Sequence, residues 1–200
     1  MTARVTQPKT DRGGKTRVQI LRTAERLFGT KGYYGTSLAE IALKADVGHG
    51  TLYIYFGSKK DIFEELLRYL NHELRKSVQT EVAGLDGDRV KAEEVGLAAF
   101  LGFFRRHPYL YKIILEAEAV DPALHKWYYE ALAKRYTIRL REAMKSDQIR
   151  KTDPEALALC LMGISHMLGI SWLLWKKDMP TPKTLAAVNE FVKHGLANDS

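Results

Sequence analysis

Polar and aromatic side chains that could contact a polyanion are concentrated in residues 48–60, GHGTLYIYFGSKK. Lys59 and Lys60 follow Ser58 at the beginning of a long helical pattern, where positive charges oppose the positive end of the helix dipole unless an anion lies nearby. A phosphate group would supply that anion. The alternative is two exposed lysines without a role, at a cost of only tenths of a kcal/mol.

The sequence lacks the motifs of common enzymes. It contains no Gly-rich phosphate loop, no HExxH and no Gly-x-Ser-x-Gly. Cys160 and His166 are six residues apart, which places them on different faces of a helix. Because Cys160 is the only cysteine, neither a disulfide framework nor a zinc cluster is expected. We therefore predict a protein that is not an enzyme and that has no metal site and no cofactor.

The net positive charge of the chain lies entirely within its first 60 residues. Residues 1–60 contain 11 Lys and Arg against 4 Asp and Glu, whereas residues 61–200 contain 20 of each. A basic segment joined to a neutral body is typical of a polyanion-binding module, because Lys and Arg displace counterions from phosphates. The alternative is a solvated, solubilising tail.

The elements around residues 48–60 are predicted to be helices. Apolar residues at helical spacing predict a helix over residues 15–31, and Ser37 to Glu40 is a capping-box pattern that begins a second, short helix. Residues 49–56 are rich in aromatic residues, yet a lone strand would leave its backbone groups unpaired, so a short helix with Leu52 and Phe56 buried is expected. Two short helices joined by a tight turn predict a helix-turn-helix.

Residues 15–65 resemble the DNA-binding domain of the TetR family of bacterial transcriptional regulators. The matches run from Phe28 and Gly32-Tyr33 through Ile41-Ala42 to Gly50-Thr51-Leu52-Tyr53, Tyr55-Phe56 and Ser58-Lys59. The resemblance implies that positions 49–51, which are His49, Gly50 and Thr51, approach base edges. It also implies that five residues lie near phosphates: Thr36, Ser37, Tyr53, Tyr55 and Lys59.

The chain departs from the family pattern at several positions, with Ala39, Asp46, Gly48 and His49 where the family often has other residues. Asp tolerates the left-handed turn conformation and Gly is an acceptable N-cap, so the fold is expected to form. Because Ala39 cannot form a hydrogen bond through its side chain, base recognition is expected to depend on His49, Thr51 and thymine-methyl contacts.

Residues 82–200 are predicted to form further amphipathic helices, which gives about nine helices in all. Ala156 to Trp175 has no charged residue over 20 positions, a length that could span a bilayer, but two glycines and several polar residues interrupt it. A helix that is apolar all round is otherwise buried, here against a second subunit. The family resemblance implies that the last two helices pair in a dimer, and the predicted interface residues are Gly163, Gly169, Trp172, Val188 and Phe191.

The family resemblance also implies an effector pocket within the body. The runs HPYLYKIILEAEAVDP and WYYE are similar to members linked to fatty-acid or aromatic acyl-CoA catabolism. The candidate effector residues are Arg106, Tyr111, Glu116, Trp127 and His166. For each of these the alternative is an ordinary packing or solvated residue.

The prediction is therefore an all-α protein with a three-helix DNA-binding head on a larger helical body. Residues 1–14 would form a flexible basic arm, residues 15–60 the helix-turn-helix domain, and residues 61–200 the effector-binding and dimerisation domain. The expected function is that of a homodimeric repressor released from a double-stranded DNA operator by a small hydrophobic effector. The alternative is a helical adaptor that binds only protein. The basic, polar N-terminus has no secretory pattern, so a cytoplasmic protein without membrane partners is expected.

Overall fold

A computed structural model describes residues 11–197, and within that range the chain forms nine α-helices, one π-helix and no strand. The all-α prediction is thus confirmed for the described residues. The helices are α1 (Asp11–Lys31), α2 (Leu38–Lys44), α3 (His49–Tyr55), α4 (Lys59–Glu81), α5 (Arg89–Arg106), α6 (Leu110–Val120), α7 (Pro122–Lys145), α8 (Pro154–Gly169), the π-helix Ile170–Lys176, and α9 (Pro182–Leu196).

Helix α1 begins at Asp11, four residues before the predicted start at Lys15. Residues 11–14 of the predicted arm are therefore helical, and the rest of that arm lies outside the described residues. Side-chain caps explain why later helices begin where they do. Asp153 accepts a hydrogen bond from the backbone N–H of Glu155 at 2.9 Å, and Thr181 accepts one from Thr184 at 3.2 Å. In both cases a proline follows in the first turn, where no N–H is needed.

The chain divides into two compact units, Met1–Leu70 with Tyr109–Lys126, and Asn71–Pro108 with Trp127–Ser200. One boundary falls inside α4, one between α5 and α6, and one inside α7. The first unit extends beyond the predicted DNA-binding head, since it includes the beginning of α4 and the whole of α6. The predicted assignment of roles to residues 15–60 and 61–200 remains a prediction.

The core of the first unit is built from helix faces that the apolar periodicity predicts. Its fully buried side chains include Ile20, Leu21, Phe28, Ile41, Leu52, Phe56, Ile62, Phe63, Leu66, Leu67, Leu110 and Ile113. The rings of Phe28 and Phe63 meet edge to face, with centroids 5.3 Å apart. Gly29 of α1 lies against Tyr109, the residue directly before α6. Only glycine fits at position 29, because a Cβ would lie 2.2 Å from the Cβ of Tyr109. Burial of these faces fixes α1 to α4 and α6 around one core.

The second unit has a separate cluster of buried residues: Leu140, Ala143, Met144, Ile149, Ala158, Leu161 and Leu196. A buried polar group lies between α5 and α7, where the Glu93 carboxylate pairs with Arg89 and accepts a hydrogen bond from the Tyr136 hydroxyl. Burial, followed by the nearby Glu93 charge, raises the pKa of Tyr136 well above its usual value. Tyr136 therefore stays protonated and holds the two helices together as a donor.

The apolar segment ends differently from the predicted single helix. Its last part, Ile170–Lys176, is a π-helix that stops at Lys177 in the left-handed conformation, with φ of 57°. By length and composition alone, Pro154–Lys176 could cross a membrane, a property shared with core helices of soluble proteins. Only 17% of its most apolar window is buried within the chain. A large apolar surface is thus left on this part of the second unit.

Candidate nucleic-acid interface

The turn between α2 and α3 has the geometry that a helix-turn-helix requires. Helix α2 begins with the Ser37 hydroxyl accepting a hydrogen bond from the Glu40 N–H at 3.1 Å. Only this half of the predicted capping box forms, because the Glu40 carboxylate pairs instead with Lys31 at 2.5 Å. Asp46 has φ of 51°, which agrees with the expectation that Asp tolerates the left-handed turn. Gly48 is the N-cap of α3.

Helix α3 buries one face and leaves the other open. Leu52 is fully buried, as is Phe56 directly after the helix. The predicted base-contacting residues His49 and Gly50 are exposed, and Thr51 is half-buried. Among the predicted phosphate contacts, Tyr53 is exposed and Tyr55 is half-buried. The short helix predicted from a strand-like sequence therefore presents its polar N-terminal end to solvent.

Ile54 is a candidate DNA contact that the sequence reasoning missed. Its side chain is 65% exposed on α3. The signal was available in the sequence. Since Leu52 and Phe56 occupy the buried face, the residue midway between them must point away from it. A methyl-rich side chain at this position suits contact with a thymine methyl group.

Thr36 does not fit its predicted phosphate contact. Its side chain is buried, and the hydroxyl donates a hydrogen bond to the Gly32 carbonyl at 2.8 Å. The hydrogen of the hydroxyl is therefore already used, and the side chain stabilises the loop between α1 and α2. Ser37, by contrast, is exposed, and its phosphate contact remains a prediction.

Lys59 is held by two backbone carbonyls. Its ammonium group donates to the oxygens of Tyr33 and Thr36, each at 2.8 Å, and lies 4.4 Å from the centroid of the Tyr33 ring. These contacts offset the unfavourable position of a lysine in a first helical turn. An ammonium group has three donors, so one remains for the predicted phosphate contact.

Helix α6 and the residue that follows it are joined to the segment from α1 to α4 by polar contacts as well as by packing. The Glu116 carboxylate accepts a hydrogen bond from the Tyr33 N–H at 2.7 Å. Lys60 pairs with Asp121 at 2.9 Å, and the hydrogen bond from Lys60, with that from the Leu124 N–H, lowers the pKa of Asp121. Two residues that we predicted to bind an effector, Tyr111 and Glu116, thus belong to the first unit, where Tyr111 is buried.

The other three predicted effector residues lie in the second unit. His166 lies near Tyr129, with Nε2 3.5 Å from the Tyr129 hydroxyl, and burial raises the pKa of Tyr129. Trp127 is half-buried. Arg106 is exposed and donates to the Ser77 hydroxyl at 3.1 Å. No single unit brings together all five predicted effector residues.

The predicted dimer residues differ in their exposure. Phe191 is 70% exposed, while Trp172 and Val188 are half-buried. A Cβ at Gly163 would meet no atom within 4 Å, so this position is open. Gly169 is buried within its own chain and does not fit the predicted role of admitting a partner helix. Leu159, Met167 and Trp175 are exposed on the same segment and were not predicted.

Comparison with known proteins shows that the first helices match a described protein family. Residues 20–66 match the model of bacterial regulatory proteins of the tetR family. The uncharacterized HTH-type transcriptional regulator YhgD of Bacillus subtilis (strain 168) is 29% identical over 89% of this chain and 95% of its own length.

Solved structures share the fold over most of the chain. FadR from Bacillus subtilis in complex with stearoyl-CoA has a TM-score of 0.72 and 17% identity, covering 88% of this chain and 95% of that one. A transcriptional regulator from Saccharomonospora viridis in complex with choline has a TM-score of 0.73 and 23% identity, covering 92% and 98%.

Proposed function

We propose that the chain is a homodimeric repressor of the TetR family of bacterial transcriptional regulators, and that a small hydrophobic effector releases it from its DNA operator. Its relatives are transcriptional regulators rather than enzymes, which confirms the prediction that it is not an enzyme. The observation that carries the proposal is the open face of α3, where His49, Tyr53 and Ile54 are exposed opposite a fully buried Leu52. A cytoplasmic location is part of the proposal.

In this proposal α3 enters the major groove of DNA with its N-terminal end towards the bases. The His49 imidazole donates to or accepts from a base edge, and Thr51 supplies a second polar contact. Ile54 contacts a thymine methyl group. Ser37, Tyr53, Tyr55 and the remaining donor of Lys59 contact phosphates, which position the helix without reading sequence.

The dimer forms through the apolar surface of the second unit. Exposed Leu159, Met167, Trp175 and Phe191 cannot remain in water together without favouring association. Pairing with a second copy buries them, and Gly163, with open space at its Cβ position, allows a partner helix to approach closely. Two copies present two α3 helices, which suits an operator with two related half-sites.

The effector binds the second unit in this proposal, near the polar pair Tyr129 and His166. An apolar site with a few polar groups suits a ligand with an apolar chain and a polar head, such as an acyl-CoA. FadR from Bacillus subtilis, which shares the fold, has been solved with stearoyl-CoA. Release from DNA requires the effector to prefer the state that cannot bind DNA, because equal affinity for both states shifts nothing.

Selection of DNA from a random pool tests the DNA-binding part of the proposal. The protein should enrich one sequence and bind it at least about 1,000-fold more tightly than a scrambled duplex at physiological salt. Affinity should fall steeply as salt rises. An adaptor that binds only protein would enrich no sequence, and its contacts would depend little on salt.

Long-chain acyl-CoA thioesters test the effector part. They should raise the melting temperature and lower the affinity for the selected duplex together, since both follow from preferential binding to one state. Free CoA is the matched control, and without the apolar chain it should do much less. Release by an unrelated small molecule, with no response to any acyl-CoA, would contradict this ligand class and leave the DNA-binding proposal intact.

A further inference from the structure

The exposed surface of α1 is a narrow line of basic residues. From Arg12 onwards, the exposed residues of this helix are Arg12, Lys15, Gln19, Arg22, Arg26, Thr30 and Lys31. None of them is acidic. We call the four cations Arg12, Lys15, Arg22 and Arg26 the α1 stripe.

The spacing of the α1 stripe follows the helix. Its residues and Gln19 succeed one another at intervals of three or four, so they lie on one face, away from buried Ile20, Leu21 and Phe28. At 1.5 Å per residue, the distance from Arg12 to Arg26 along the axis is about 21 Å. One DNA strand carries about six phosphates over that length.

The charges of the α1 stripe are not neutralised within the part of the chain that the structure describes. Two other cations of α1 do have partners, since Arg17 pairs with Glu65 and Lys31 pairs with Glu40. Within residues 12–197, no ion pair joins a member of the stripe to an acidic side chain. Arg22 and Arg26 are four residues apart, a like-charge spacing that disfavours the helix. An ordinary solvated helix face mixes both signs of charge.

Gln19 shows where the α1 stripe lies. Its side-chain amide donates a hydrogen bond to the Ala45 carbonyl at 2.7 Å. Ala45 is the C-cap of α2, and Gly48, three residues later, is the N-cap of α3. Since Gln19 occupies the middle of the exposed face of α1, that face passes beside the turn of the helix-turn-helix.

We propose that the α1 stripe binds the DNA backbone next to the groove that receives α3, and so extends the contact of each protomer beyond the bases that α3 reads. The inference rests on the proposed DNA-binding function. Guanidinium and ammonium groups in a row complement a row of phosphates, and such contacts add affinity without adding sequence preference. The expected partner is therefore the backbone flanking the operator.

The test uses the double variant Arg22→Gln with Arg26→Gln in the full chain, on a duplex of about 40 base pairs that carries the selected sequence at its centre. Each lost phosphate contact lowers the salt slope by about 0.9, so the slope should fall by roughly 2. The advantage of the wild type over the variant should then shrink about twelvefold between 50 and 200 mM salt. Sequence preference should not change, and backbone protection beside the selected bases should be lost.

The matched control is Arg141→Gln with Lys145→Gln, which removes the same charge at the same spacing from exposed positions of α7. Its salt slope should stay within about 0.5 of the wild-type value. Equal slope changes in both double variants, or no change in the α1 variant while the wild type still selects its sequence, would overturn the inference alone. A wild type that selects no sequence would contradict the proposed function and, with it, this inference. If the α1 double variant loses binding to phosphatidylserine vesicles while its salt slope on DNA is unchanged, the stripe binds a membrane surface. That result would also overturn the inference.

Discussion

Helix α1 and the segment that contains α8 and α9 leave opposite kinds of surface exposed. In the first unit the apolar side chains of α1 and α4 are buried, while the outer face of α1 is basic and that of α3 is polar at its N-terminal end. In the second unit the apolar surface itself is exposed, through Leu159, Met167, Trp175 and Phe191. A charged open surface suits a polyanion, whereas an apolar one suits a protein partner. In the proposed function, DNA recognition and self-association are therefore carried by separate parts of the chain.

Phe191→Asp should have the largest effect and should separate these two roles. A buried, unpaired charge costs about 3–5 kcal/mol, so we expect the dimer dissociation constant to rise at least about 100-fold. The monomer should remain folded, because Phe191 is already exposed within its own chain. Sedimentation equilibrium measures the change. Ala186→Asp places the same charge on another face of α9 and should leave the dimer intact, and equal dissociation in both variants would refute the assigned interface.

Lys59→Ala tests whether the first unit depends on a lysine as a structural residue. The variant loses two charge-assisted hydrogen bonds to the carbonyls of Tyr33 and Thr36, and we expect the free energy of unfolding to fall by about 2–3 kcal/mol. Lys60→Ala removes the same charge one residue later, where the side chain is exposed, and should cost clearly less than Lys59→Ala. Urea denaturation of both variants gives the comparison. If both variants lose the same free energy of unfolding, the two hydrogen bonds from Lys59 contribute no more to stability than an exposed lysine does.

The variants His49→Ala and Ile54→Ala should weaken sequence-specific DNA binding and leave the stability of the fold unchanged. Each should cost about 1–3 kcal/mol on the selected duplex and relax preference at one position in each half-site. Their melting temperatures should match the wild type, because both side chains are exposed. Affinities on selected and scrambled duplexes decide the matter. If His49→Ala loses affinity equally on both, the residue contacts a phosphate and reads no base.

The smallest effect concerns the ion pair between Lys60 and Asp121, which joins α4 to the beginning of α7. Because the pKa of Asp121 is lowered in the folded state, its contribution is complete above the unfolded pKa of about 3.9 and is lost as pH falls through the folded pKa. Asp121→Asn keeps a capping oxygen but removes the charge. It should lower stability by less than about 1 kcal/mol at pH 7 and lose less stability than the wild type below about pH 4. If the wild type and Asp121→Asn lose the same stability as the pH falls, the ion pair does not contribute to the stability of the fold.

The sequence predicted the helices well because their ends depend on local chemistry. Helices α8 and α9 begin at the pairs Asp153-Pro154 and Thr181-Pro182. In each pair the capping side chain and the proline are adjacent in the sequence. The short α3 was also predictable, since a helix satisfies its own backbone while a lone strand cannot.

What the sequence could not predict are contacts between residues far apart in the chain. Lys59 with Tyr33 spans 26 residues, and Glu116 with Tyr33 spans 83, so neither partner leaves a local pattern. The hydrogen bond from the Thr36 hydroxyl to the Gly32 carbonyl is local, since the two residues are four apart, but the family resemblance directed the prediction for Thr36 to a phosphate instead. The π-helix Ile170–Lys176 has the composition of an ordinary helix and gave no signal.

The symmetry of the DNA site tests the central claim most directly, because it depends on both surfaces at once. The selected duplex should contain two related half-sites in inverted orientation, and the mass of the complex should correspond to one protomer at each half-site or to a multiple of such pairs. Half-site centres should be separated by about one helical turn or a multiple of it, roughly 34–36 Å. Sequencing of the selected pool and native mass spectrometry of the complex provide both quantities. A single asymmetric site that is bound tightly by one protomer would contradict the account.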